Sequence, residues 1–147
     1  MQAAFTPARV PVLVVSPYPD DHIQLGKFLL REGWEMRHVT TCEEAQIVLQ
    51  RMPVSIVISE SETAGVNWRK LLAAIQRVPF PGKPNLIVAS VKADDRLWSE
   101  VLNLGGYNVL AKPFEPAEVL WVLENARVDS IRMIPELVCQ ESQRLSA

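Results

Sequence analysis

The chain has 147 residues, 48% of them hydrophobic and 22% charged, and 15 Lys+Arg against 17 Asp+Glu leave a net charge of −2. This is the composition of one globular domain, able to bury roughly two-thirds of its unfolded surface without a metal or cross-link. No run of like charge suggests a nucleic-acid groove or an anionic membrane surface, so the expected partners are proteins, not nucleic acid or membrane. Cys42 and Cys139 lie far apart without zinc-type spacing, and Met1 to Phe5 lack a charged segment followed by an apolar one, which leads us to expect a reduced, cytoplasmic protein. No apolar run approaches the ~20 residues that span a bilayer.

The first element is a nearly continuous β-branched run, Val10 to Val15, stopped by Ser16-Pro17-Tyr18-Pro19. Such runs are strands covered on both faces, as in parallel sheets. Asp20 and Asp21 then open a helical pattern with Leu25, Phe28 and Leu29 on one face and Gly33 at its end. Acids at the positive end of the helix dipole are favourable. A second strand, Glu35 to Val39, leads to Thr41 and Glu44, which have the spacing of a capping box. Ala45, Val48, Leu49 and Met52 continue that helix at i, i+3, i+4 and i+7 until Pro53.

Ser55 to Ser59 is a third apolar strand, and Trp68, Leu71, Leu72 and Ile75 repeat the helical spacing, which makes Trp68 a core residue. Pro79, Pro81, Gly82 and Pro84 form a stiff connection into a fourth strand, Asn85 to Ser90. Leu97, Val101 and Leu104 mark a fourth helix followed by Gly105-Gly106. Val109 to Ala111 form a short fifth strand, and Pro116 begins a fifth helix with Val119, Val122, Leu123 and Ala126 on one face.

Strands alternating with helices, joined by right-handed crossovers, predict a three-layer α/β/α sandwich of flavodoxin-like type with a five-stranded parallel sheet in the order 2-1-3-4-5. Its domain spans residues 10–126, between a flexible N-terminus, 1–9, and a segment, 127–147, that extends the last helix or forms a tail. In this fold ligands sit beyond the carboxyl ends of the strands. Function is therefore sought at Ser16 to Pro19, Ser59 to Glu62, Ala89 to Val91 and Lys112.

Those strand ends carry a resemblance. Leu110-Ala111-Lys112-Pro113-Phe114 resembles the Lys-Pro-Phe segment that ends the fifth strand of response-regulator receiver (CheY-like) domains, and the first strand, the Arg31-Glu32-Gly33-Trp34 turn and Leu104-Gly105-Gly106 are similar to the family's pattern in the same places. The resemblance covers about Pro11 to Ala126. It implies a signalling domain with an acid pair for Mg²⁺ after the first strand, an acceptor aspartate ending the third, a Ser or Thr after the fourth, and the lysine. Here an ungapped reading places Ser16 and Pro17 at the acid pair, Ser59 at the acceptor and Ala89 at the hydroxyl, with Ser90 one residue later; Val109 stands where the family has an aromatic residue.

These are vestigial phosphorylation-site positions, and only Lys112 retains the family's residue. Mg²⁺ is not expected to bind, since Ser16 offers one neutral oxygen and Pro17 none, and no other cofactor is implied. Asp20, Asp21, Glu60 and Glu62 are the acids that displacement could bring to the site. With Ser59 facing the site, alternation along the strand points Glu60 away from it. Lys112 is then expected either in solvent or paired with a loop carboxylate such as Glu60 or Glu62.

The leading expectation is a degenerate receiver, a pseudo-receiver that is not an enzyme and acts by phosphorylation-independent protein binding. The resemblance implies a partner or homodimer surface on the face of the fourth helix, fifth strand and fifth helix, where Trp98, Leu102, Leu120 and Trp121 lie off the core stripes. Two alternatives are a receiver phosphorylated at a displaced acid and a module sensing a small uncharged ligand beside Tyr18. A phosphate-bearing cofactor is disfavoured because Pro17 and Pro19 remove backbone donors. His22 and His38, separated in sequence, define no catalytic pair.

Overall fold

The computed structural model describes residues 11–63, 65–79 and 82–129. The segments 1–9 and 130–147 of the expected domain plan lie outside the described residues. The main sheet contains β1 (Pro11–Val15), β2 (Glu35–Val39), β3 (Ile56–Glu60), β6 (Asn85–Ser90) and β7 (Asn108–Ala111). All neighbours are parallel, in the order β2-β1-β3-β6-β7. This is the predicted 2-1-3-4-5 arrangement once a small antiparallel hairpin is numbered, β4 (Glu62–Thr63) with β5 (Val66–Asn67), inserted directly after β3.

Helices α1 (Pro19–Arg31), α2 (Cys42–Arg51), α3 (Trp68–Gln76) and α4 (Asp95–Leu104) are joined by α5, residues 116–129. Pro19 sits in the first turn of α1, where its missing N–H costs nothing, so the helix opens one residue before Asp20. At α2 the Thr41 side chain accepts from the Glu44 amide, as the spacing predicts. Asn67 and Asp94 cap α3 and α4 in the same way. Helix α4 ends on Gly105 at φ 105°, and a side chain on Gly106 would meet Val101 Cγ1 at 2.5 Å. The Gly-Gly pair thus serves both a left-handed cap and a close approach. Leu104 is exposed rather than on the core stripe; Val101 is the buried residue of α4.

The sheet separates two apolar layers. One joins Val12, Val14, Ile56, Ile58, Ile87, Ala89 and Leu110 to α1 and α5, and includes Trp34. The other joins Leu13, Val15, Val57, Leu86 and Val88 to α2, α3 and α4, around a fully buried Trp68. Parity along each strand therefore decides which layer a side chain enters.

Candidate functional site

At the carboxyl ends of β1, β3 and β7, three charged side chains meet. Lys112, just past β7, places Nζ 2.7 Å from Asp21 Oδ2 and in contact with Glu60 Oε2. All three side chains are about nine-tenths buried. Asp21 lies in the first turn of α1, where the helix dipole favours a carboxylate, and it also accepts from Ser16 Oγ at 2.6 Å. Burial alone would push the Lys112 ammonium down, but hydrogen bonds and charge from Asp21 and Glu60 outweigh it and hold the group above its usual value. Tyr18 roofs the cluster, its ring centroid 4.9 Å from Lys112 Nζ, and its hydroxyl donates to Thr63 Oγ1 of the hairpin at 3.3 Å.

One sequence expectation is corrected here. β3 runs one residue further than Ser55 to Ser59, so the side chain it presents beside Lys112 is Glu60 and not Ser59. Glu60 shares the parity of Ile56 and Ile58 and pairs with Ala89 across the sheet. Ser59 lies on the opposite parity, level with Val15 and Val88, and spends its hydroxyl on the Glu60 carbonyl at 3.0 Å. Alternation holds along β3, with Glu60 rather than Ser59 on the parity that faces Lys112. At the start of α1 lies Asp21, one of the acids expected to be available by displacement. Pro17 contributes no donor, while Asp21 reaches the site from one turn into the helix. Asp20 is exposed.

Ala89 faces the site without a hydroxyl. Ser90 lies on the other parity and accepts from the Lys92 amide at 3.0 Å, so it does not replace one. Glu62 contributes backbone to β4, and its side chain lies outside the described atoms. On the face of α4, β7 and α5, Trp98 and Trp121 are 49% and 67% exposed, while Leu102 and Leu120 are half-buried. Spacing had not linked His22 and His38, yet their rings stack with centroids 4.2 Å apart. Burial, then the His38 charge, lowers the His22 pKa despite its bond to the Ser16 carbonyl and the nearby Asp21.

The donor set does not suit Mg²⁺. The ion needs near-octahedral oxygen ligation, whereas the two site carboxylates converge on an ammonium. Among the described residues no group of three His, Cys, Asp or Glu is placed to hold a metal. The chemistry the cluster performs is electrostatic: it neutralises a buried cation with acids from α1 and β3, tying those elements to β7.

No family model matches the sequence. The chain is 35% identical over 96 residues to the response regulator protein FleR of Pseudomonas aeruginosa, a match covering 65% of this chain and 20% of FleR; it thus spans about one-fifth of that relative. The signal receiver domain of an HD domain-containing protein from Pseudomonas fluorescens superposes with a TM-score of 0.74 at 23% identity, over 84% of this chain and 98% of that one. The chain has the fold of response-regulator receiver domains. A second receiver structure, from the CheX-CheY-BeF3-Mg²⁺ complex of Borrelia burgdorferi, matches at TM-score 0.70 and 22% identity, over 79% of this chain and 87% of that one. In this chain a glutamate from β3, a helix-borne aspartate and the lysine form one closed cluster. No helix of the described residues is long and apolar enough to cross a membrane.

Proposed function

We propose that this domain is an atypical receiver of a phosphorelay, or two-component, signalling system: a cytoplasmic pseudo-receiver that lacks the phospho-acceptor aspartate and works by binding a protein partner without being phosphorylated. The observation that carries this reading is the closed Asp21–Lys112–Glu60 cluster. Phosphoryl transfer depends on positioning and on neutralising charge as it develops. Here the lysine that would neutralise an incoming phosphoryl group is already shared by two carboxylates, and the positions that would hold a cation carry Ser16 and Pro17. A phosphoryl donor at Glu60 would have to displace Lys112 with no metal to replace it. The domain therefore needs no Mg²⁺ and is not an enzyme.

Partner binding is assigned to the face of α4, β7 and α5. Exposed tryptophans are frequent energetic anchors of interfaces, and Trp98 and Trp121 are both exposed there. The Borrelia relative in complex with CheX lends support to a protein partner; a second copy of this chain is the other candidate.

The test is an amide NMR titration with Mg²⁺ and then beryllofluoride. Unmoved amides support the reading, and Trp98→Ala and Trp121→Ala should then lose partner capture while remaining folded. Saturable shifts around Glu60, Ser90 and Lys112 would overturn it in favour of a receiver phosphorylated at a displaced acid.

A further inference from the structure

The ligand alternative placed a small molecule beside Tyr18, but that space is occupied by Lys112 and its two acids. A different cavity has the features of a ligand site. Between α2 and α3 lies a groove of ≈ 370 Å³ with Leu49, Ala74 and Val78 in its apolar lining and Gln46, Gln50 and Arg77 along it. Small-molecule sites span roughly 300–1,000 Å³ and combine an apolar wall with a few convergent polar groups. None of the residues lining it belongs to the Asp21–Lys112–Glu60 cluster.

Gln46, Gln50 and Arg77 line the groove, and among the described residues their side chains enter no hydrogen bond or ion pair. The local charge is also one-sided. Arg69, at the far end of α3, is paired with Glu100, and the cations at the C-terminal ends of α2 and α3 are Arg51 and Arg77. The acids of α2, Glu43 and Glu44, lie in its first turn, away from Gln50, and Glu44 is held by Thr40 and Thr41.

These groups select a ligand class. A guanidinium matches a carboxylate with two parallel N–H donors, and each glutamine amide supplies further donors. One lining cation suits a monoanion; a di- or triphosphate would call for several. The apolar lining takes a hydrocarbon body. We propose that the α2–α3 groove binds a small organic monocarboxylate with an apolar body, its carboxylate on Arg77 and the amides of Gln46 and Gln50. The assignment is independent of the signalling reading, which stands or falls on the Lys112 cluster.

The test uses benzoate as the probe, titrated into the full chain and followed by the side-chain amides of Gln46 and Gln50 and the Arg77 Nε–H. Saturable shifts confined to the groove are expected. Benzamide, with the same ring and no charge, should bind at least about tenfold more weakly, as should benzoate to Arg77→Gln, the loss anticipated for a charge-assisted pair. Gln50→Ala, at an exposed position, provides a second folded variant with the same direction of effect. Absence of saturation into the millimolar range, equal binding of benzamide and benzoate, or undiminished binding by both variants would each overturn the proposal.

Discussion

Replacing Lys112 with Met keeps most of the aliphatic stem and removes the one charge that Asp21 and Glu60 share. At the 2.7 Å separation of Lys112 and Asp21, an effective dielectric of ~20 gives a Coulomb attraction of about 6 kcal/mol. Burial of the ions offsets much of that, and breaking such a pair costs about 3–5 kcal/mol in practice because the remaining charge is stranded. We expect the lower end, about 3 kcal/mol, since Ser16 still donates to Asp21 at 2.6 Å. The pH dependence is diagnostic. In Lys112→Met two buried carboxylates lose their shared counter-charge and repel each other while both are ionised. That penalty is present at neutral pH and disappears as falling pH protonates them. Urea denaturation at pH 7 and near pH 4.5 should therefore show a deficit that narrows on acidification, and Glu60→Gln added to Lys112→Met should recover part of it at pH 7. A deficit under about 1 kcal/mol, or one independent of pH, would refute the idea that these charges act as a unit.

In the intact protein the raised Lys112 pKa gives stability that is fully present below its unfolded value of 10.5 and lost only as pH climbs through the folded value; alkaline denaturation followed by circular dichroism checks this. His22 has the opposite sign. Its lowered pKa favours the neutral folded form, so this contribution is complete above 6.5 and lost as pH falls through the folded value. Ring-proton NMR should find His22 titrating below 6.5, and His38→Ala should move it upward. Thr41→Ala removes the acceptor for the Glu44 amide and should cost about 1 kcal/mol in chemical denaturation; a neutral result would mean that Glu44 and Thr40 hold the helix start alone. Trp98→Ala and Trp121→Ala should each change stability by no more than about 0.5 kcal/mol, whereas Trp68→Ala should cost about 3–5 kcal/mol, measured by the same urea midpoint.

The alternation of β-branched runs with helical stripes made the sheet order readable, because burial on both faces and crossover handedness leave few arrangements. The Thr41 cap, the Gly105-Gly106 helix end and the Trp68 core position followed from local chemistry. Strand phase did not. Ser59 and Glu60 are both compatible with the end of an apolar run, and only the pairing of Glu60 with Ala89 fixes which faces Lys112. Asp21 was visible as a helix-dipole residue, but its reach back to Ser16 and Lys112 depends on how α1 docks. The His22–His38 stack and the Tyr18–Thr63 contact join residues from separate elements, a relation that no period along the chain encodes.

The division of the interior by the sheet also furnishes the protein with two internal reporters. Trp34 belongs to the layer beneath α1 and α5, and Trp68 to the layer beneath α2, α3 and α4. With the exposed Trp98 and Trp121 changed to Phe, the remaining fluorescence comes from one indole on each side of the β-wall. Single-Trp versions would then time the loss of each side separately during unfolding. Coincident transitions would mean that the strands transmit disruption from side to side as one cooperative body, while a lag would identify which helical layer loosens first.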